Sequence, residues 1–254
     1  MRIHQHASLG LAATACLVLS GCTNAADWNA NRSSQIHSFD TSSIQAQPGI
    51  IAKLPQGALE DGVLDVAAST DYAPAEFLDP SGTAVGYDVD LTNAIAAVLG
   101  VKGKVHTAEF DSIIASIGSK YDAGISSFTV TPERTAEVDM TAYINVGSRF
   151  NVQAGNPKGV EPSDHLQLCG RTIGVQVGTA QETTMRDAAD KCAQAGKPVL
   201  SVRSYSKQSE ATTGLVGGTI DATYSDSTVA GYAVELTDGQ IVTLGEIEDA
   251  APQG

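Results

Sequence analysis

Two α/β lobes, each a mostly parallel sheet flanked by helices, are the architecture that this 254-residue sequence predicts. Three observations carry that expectation. Short apolar runs that read as strands alternate with apolar residues at helical spacing. The alternation runs through once and then restarts. A polar stretch rich in Ser, Asn and Gln precedes all of it. The length permits one large or two small domains. Ligands of such sheets sit at the carboxyl ends of the strands, and two lobes place a cleft between them.

The first pass begins at residues 63–68, Val-Leu-Asp-Val-Ala-Ala, which read as a strand. Turn signals follow at Tyr72-Ala73-Pro74 and Asp79-Pro80-Ser81-Gly82. Asp88 stands where a helix N-cap belongs, and Asp90 falls in the positive first turn. Leu91, Ile95, Val98 and Leu99 recur at helical spacing, and Gly100 ends that helix. A strand over 104–108 comes next. Phe110, Ile113, Ile114 and Ile117 mark a second helix, and residues 122–125 a third strand. Thr131 caps a short helix with Pro132 at its first position. The second pass has a strand over 172–176 and a helix from Gly178-Thr179 to about Ala195. Strands over 199–205 and 220–223 follow, with helices over 209–216 and after Ser227.

Ahead of these elements, Leu19-Ser20-Gly21-Cys22 closes an apolar run over 9–19 that follows a weakly basic head. That run is too short to cross a bilayer as a helix. An apolar stretch ending in small residues before a cysteine resembles a bacterial lipoprotein signal peptide. The resemblance implies that 1–21 is removed and that Cys22 becomes the lipid-bearing N-terminus. The rest of the chain would then work outside the cytoplasm, anchored to the outer face of the cytoplasmic membrane. A generic cleaved signal peptide is the alternative. Residues 22–59 are expected to form a flexible tether. Residues 60–149 form the first lobe, 150–247 the second, and 248–254 the start of a crossing back to the first.

Acidic residues outnumber basic ones by 29 to 15. Removal of 1–21 takes away Arg2 and no acid, so the mature chain is more acidic still. This balance argues against nucleic acid and against a polybasic membrane contact. Cys16 leaves with the signal segment and Cys22 is the lipid site. The remaining pair, Cys169 and Cys192, is expected to form a disulfide in an oxidising compartment. No Gly-rich phosphate loop, nucleophile elbow or paired-His zinc motif is present, so no cofactor or metal is expected. His37, His106 and His165 lack ligand spacing.

Residues 122–134 carry the sharpest chemistry. A strand ends in small hydroxyl residues, and a helix start bearing Arg134 follows. Hydroxyls, free backbone N–H groups and a guanidinium together suit a carboxylate.

Several segments, in chain order, are similar to the family-3 extracellular solute-binding proteins, the amino-acid receptors of ABC importers. Gly86-Tyr87-Asp88-Val89-Asp90-Leu91 resembles their fingerprint, and Tyr72-Ala73-Pro74-Ala75-Glu76-Phe77 their first ligand loop. Phe110-Asp111 resembles the second loop, and Ser126 to Arg134 the carboxylate clamp. Gly178-Thr179-Ala180-Gln181-Glu182 resembles the loop of the second lobe. Asp221 to Asp226 resembles the segment ending in the ammonium-binding aspartate. The spacing of Cys169 and Cys192 resembles an actinobacterial subset.

The resemblance implies a two-lobe, type II periplasmic-binding-protein-like fold and a monomer that delivers an amino acid to a membrane permease without catalysis. It implies that Arg134 binds the ligand carboxylate, helped by Ser127, Thr129, Thr179 and the Ala180 amide. Asp226 would pair with the ammonium, and Tyr72 and Phe110 would sandwich the side chain. Ala180 stands where relatives often carry a hydroxyl. Ser69 stands where relatives that bind basic amino acids carry an aspartate, which points to a polar or acidic ligand. Relatives continue some tens of residues past the equivalent of 250–254, so the C-terminal part of the fold is expected to be missing. The alternatives are a sensor or interaction lipoprotein of the same fold, and an enzyme resembling cyclohexadienyl dehydratase.

Overall fold

Residues Val63–Ala68 (β1) are mostly buried and pair in parallel on both sides. The computed structural model, which describes residues 38–254, places β1 between Lys102–Thr107 (β5) and Ala123–Gly124 (β6) in a three-stranded sheet. Between β1 and the first long helix lie three short strands, Asp71–Tyr72 (β2), Glu76–Leu78 (β3) and Ala84–Val85 (β4). They form an antiparallel meander where only turns were expected.

The helix that follows, Tyr87–Leu99 (α2), ends as expected at Gly100, in the left-handed conformation. Its start differs from expectation. Gly86 occupies the cap with φ 121°, because a Cβ there would lie 2.2 Å from the Ala75 carbonyl oxygen. Asp88 therefore falls inside the first turn and is turned into the protein, 1% exposed. The second expected helix is also shorter. A 3₁₀ turn, Phe110–Ser112, leads into a single α turn, Ile113–Ser116 (α3). Phe110 stacks on Phe128 with ring centroids 4.5 Å apart. Phe110 and Ile113 share a core with Ala67 and Tyr121, so the chain turns at Gly118 instead of continuing as a helix. Pro132–Thr135 (α4) is capped by Thr131, whose Oγ1 accepts from the Arg134 N–H.

A five-stranded sheet builds the second lobe. It comprises Ile144–Gln153 (β7), Thr172–Gln176 (β8), Ser201–Tyr205 (β9), Ala222–Asp226 (β10) and Ile241–Gln253 (β11). Their order is β11-β7-β10-β8-β9. β8 runs parallel to β9 and β10, whereas β7 is antiparallel to β10 and β11. Helices Ala180–Gln194 (α5), Gln208–Val216 (α6) and Ser227–Leu236 (α7) complete the lobe. Phe150 stacks on Tyr224 at 4.2 Å in a core with Ile173, Val175, Met185 and Leu200. Cys192 is buried in that core. Its disulfide to Cys169, with Cα atoms 5.6 Å apart, fastens the segment before β8 to α5.

Strands β7 and β11, neither anticipated from the sequence, carry the chain between the lobes. Gln253 bridges to Thr129 of the first lobe. The Val130 N–H donates to the Pro252 carbonyl at 2.8 Å, and the Tyr143 N–H to that of Gln253 at 2.9 Å. Contacts with the first lobe also begin before residue 60. The turn Pro48–Ile51 (α1) follows Gln47, whose N–H donates to the Val98 carbonyl at 2.9 Å. The Phe39 N–H donates to Asp90 Oδ2 at 2.8 Å. Residues 1–21, Cys22, the tether up to residue 37 and His37 itself lie outside the described residues. Among the described residues no helix is long and apolar enough to cross a membrane.

Candidate functional site

The carboxyl ends of β1, β5 and β6 in one lobe, and of β8, β9 and β10 in the other, deliver side chains to a single cleft. A cavity of about 10 Å³ lies there, room for about one water. From the first lobe it is lined by Tyr72, Phe110, Ser127, Thr129 and Arg134, and from the second by Thr179, Ala180, Gln181 and Asp226. All eight residues singled out from the sequence therefore line one cavity. Gln181 was missed, although it stands inside the quoted Gly178-to-Glu182 segment.

Arg134 leaves α4 and reaches across the cleft. Its Nη1 donates to the Thr129 carbonyl at 2.7 Å, and its Nη2 to the Gly178 carbonyl of the other lobe at 3.0 Å. The guanidinium lies over the rings of Phe128 and Phe110, at 5.2 and 5.5 Å, so aromatic faces share in holding its charge. Burial lowers its pKa, and the Asp226 charge opposes the shift.

Asp226 closes β10 and is 3% exposed. Its Oδ1 accepts from Gln181 Nε2 at 2.8 Å and its Oδ2 from Gln253 Nε2 at 2.7 Å. Its backbone N–H donates to the Tyr72 hydroxyl across the cleft at 3.3 Å. Burial pushes the carboxyl up to about 6, against hydrogen bonds from Gln253, Tyr72 and Gln181 that favour the charge. Tyr72 is pushed well up by burial and by the Asp226 charge, so it stays neutral. Nothing in the sequence pointed to Gln253, which β11 returns to the cleft.

Two hydroxyls are already committed. Thr179 caps α5: its Oγ1 accepts from the Glu182 N–H at 3.1 Å and donates to the Gln176 carbonyl at 2.8 Å. Ala180 and Gln181, the first two residues of α5, line the cavity, and their amides have no intrahelical acceptor. Ser127 has φ 49°, and both its N–H and its hydroxyl donate to Asp88 Oδ2, at 2.8 and 3.0 Å. Ser127 is thus left with acceptors to offer. Further lobe-to-lobe contacts come from Gln176 Nε2, which donates to Ser69 Oγ at 3.1 Å, and from Ser209, whose N–H and hydroxyl donate to Asp71 Oδ2 at 3.4 Å.

Residues 64–237 match the profile of the bacterial extracellular solute-binding proteins, family 3. This chain belongs to that family. Its fold is the two-lobe, type II periplasmic-binding-protein fold. Among its relatives, the arginine-binding protein ArgT of Corynebacterium glutamicum is 30% identical over 250 residues, 98% of this chain and 79% of that one. An ancestral arginine-binding protein solved with arginine superposes with a TM-score of 0.68 at 30% identity, covering 76% of this chain and 83% of the other. An ancestral amino-acid-binding protein described as a precursor of cyclohexadienyl dehydratase gives 0.67 at 29% identity, covering 77% and 82%. Both structures share the two-lobed body built here around Arg134 and Asp226.

Proposed function

We propose that this family-3 protein closes on a free amino acid outside the cytoplasm and delivers it to an ABC permease. The observation that carries the reading is one buried cavity holding a guanidinium and a carboxylate from opposite lobes. A zwitterion desolvated there needs both partners, because an unpaired buried charge is costly. Arg134 takes the α-carboxylate as a bidentate partner, helped by Thr129 and the amides opening α5. Asp226 takes the α-ammonium, with the acceptors of Ser127 beside it. Tyr72 and Phe110 bracket the side chain. Each lobe supplies one charge, so closure is tight only on a ligand with both ends.

The side-chain end of the cleft refines the ligand. A cavity of about 70 Å³ there is lined by Ser69, Asp71, Thr107, Glu109 and Lys207 among others. Ser69 Oγ donates to Asp71 Oδ1 at 3.0 Å, so a carboxylate stands beside the residue whose identity had pointed away from basic ligands. A side chain that donates hydrogen bonds suits this end, whereas a carboxylate meets like charge. Arginine and glutamine are therefore placed ahead of glutamate, in keeping with the arginine-binding names of the relatives. Lipid anchoring at Cys22, action as a monomer and the absence of turnover complete the proposal.

The test is a thermal-shift screen of the protein against the twenty amino acids, with Arg134→Ala as control. A ligand at 100 to 1,000 times its Kd stabilises by about 3–4 kcal/mol. The expected result is a shift for one or a few amino acids that disappears in a folded Arg134→Ala. No shift for any amino acid, or an equal shift in the variant, overturns the reading.

A further inference from the structure

A second group of titratable side chains lies beneath the cleft without lining it. Glu76 of β3 is 0% exposed, and Asp88 faces it from the first turn of α2. Asp88 accepts three hydrogen bonds: two from Ser127 and one, at 2.7 Å, from the Tyr143 hydroxyl. Glu76 Oε1 is bonded to the Ser126 hydroxyl, whose oxygen accepts the Ser69 N–H at 3.0 Å. Glu76 Oε2 is buried and meets no donor among the described residues.

These contacts assign the proton. An acceptor of three donors is an ionised carboxylate. A buried carboxylate oxygen with no donor is an uncompensated charge, and two adjacent buried carboxylates cannot both ionise cheaply. A proton on Glu76 Oε2 removes both problems by donating to Asp88. Burial and the Asp88 charge push the Glu76 carboxyl well above its usual range, consistent with that placement.

We propose that Glu76 is a protonated positioning residue, whose carboxyl O–H holds Asp88 so that Asp88 fixes Ser127 and Tyr143 together. Ser127 stands in the left-handed region, where a residue with a side chain persists only if its surroundings hold it. Tyr143 is the residue before β7, and its own N–H is bonded to Gln253. Asp88 thereby joins the loop that faces the ligand to both strands that cross between the lobes. The inference rests on the amino-acid reading of the cleft for its effect on affinity, not for its protonation.

The titratable groups facing the pair are Tyr72 from β2, Tyr87 from α2, Tyr143 at the head of β7 and Asp226 at the end of β10. The three tyrosines are all pushed up, Tyr87 to about 12, and Asp226 titrates near 6.

The experiment compares the full chain with Glu76→Gln, Asp88→Asn and Tyr143→Phe. Infrared difference spectra of the ligand-free protein at neutral pH should show a protonated carboxyl stretch that Glu76→Gln removes. Amide exchange at Ser127 should quicken in Tyr143→Phe and Asp88→Asn. Calorimetry with the amino acid found by screening should give Glu76→Gln a Kd within about threefold of wild type, since an amide N–H replaces the O–H. Asp88→Asn should weaken binding about tenfold or more, the loss of a charge-assisted bond, and Tyr143→Phe severalfold. A purely structural pair would instead lower the melting temperature and leave Kd and Ser127 exchange unchanged. That result overturns the proposal, as does the absence of the carboxyl stretch or a Glu76→Gln as weak as Asp88→Asn. If Asp88→Asn does not fold, Tyr143→Phe decides. If no amino acid binds, the functional reading fails, while the infrared and exchange data still decide this one.

Discussion

Affinity for an amino acid should fall as pH drops through about 6, because Asp226 must be ionised to meet an ammonium and burial holds its carboxyl at about that value. Near pH 7 about nine-tenths of the carboxyl is charged, and near pH 5 about one-tenth. The apparent Kd rises with the loss of the competent fraction, by about tenfold between those points. The empty body should respond in the opposite sense. Its carboxyl is raised above the unfolded value of 3.8. The folded state therefore binds more protons than the unfolded one through that window, and stability is lost as pH rises from about 4 to about 6. The shift corresponds to about 3 kcal/mol. Calorimetric titrations between about pH 5 and pH 8, in two buffers of different ionisation heat, measure both Kd and the proton released on binding at acid pH. Asp226→Asn should flatten the profile and cost about 10- to 100-fold near pH 7, the range of a charge-assisted hydrogen bond. The deaminated analogue should bind with no such slope. A flat wild-type profile, or an equal loss for the analogue in Asp226→Asn, refutes the assignment of Asp226 to the ammonium.

Closure and crosslinking give two further expectations. Gly178 has φ 77°, and a Cβ there would lie 2.8 Å from Cβ of Asp111 in the opposite lobe. Gly178→Ala should weaken binding at least tenfold, because the added Cβ meets Asp111 when the lobes are together, while the left-handed strain of about 1–2 kcal/mol lowers stability instead. Adding Asp111→Gly should recover part of the loss, whereas an unchanged Kd in the single variant refutes this closed contact. Reducing the Cys169–Cys192 bridge opens a loop whose ends are 23 residues apart and should cost about 3 kcal/mol by chain entropy. For a body of this size that lowers Tm by roughly 6–12 °C, and scanning calorimetry with and without reductant would refute the estimate by showing no change.

What was legible in the sequence was local. β1, β8, α2, α4 and α5 each carry their own signal: an apolar run, a glycine stop, a Thr or Pro at a helix start. The structure returns them within a residue or two. The residues that line the cleft cavity were legible for the same reason, since most of them lie in short segments at strand ends. Phe110 shows where local reading stops. Its periodicity with Ile113, Ile114 and Ile117 is helical, but stacking on Phe128 and the turn at Gly118 limit the chain to two short turns.

The crossing strands were illegible for a different reason. β7 reads Ile-Asn-Val-Gly-Ser-Arg-Phe-Asn-Val-Gln, with Ser148 and Asn151 buried alongside Phe150 and Val152. It has neither clean alternation nor a continuous apolar run, because both of its faces are covered and its buried polar side chains bond to partners far along the chain. Asn151 Nδ2 donates to the Ala230 carbonyl, and Ser148 Oγ receives Gln181 Nε2. Gly147 is required because a Cβ would meet Ile247 of β11 at 2.4 Å. The same physics hid Asp88. At a helix start an aspartate is most economically read as a cap, and only Ser127, 39 residues away, reveals it as the acceptor under the cleft. Residues whose partners are far along the chain carry no local signature. In this fold they are the ones that tie the loop at Ser127 to the strands that cross between the lobes, so reach across the sequence marks these joints better than composition does.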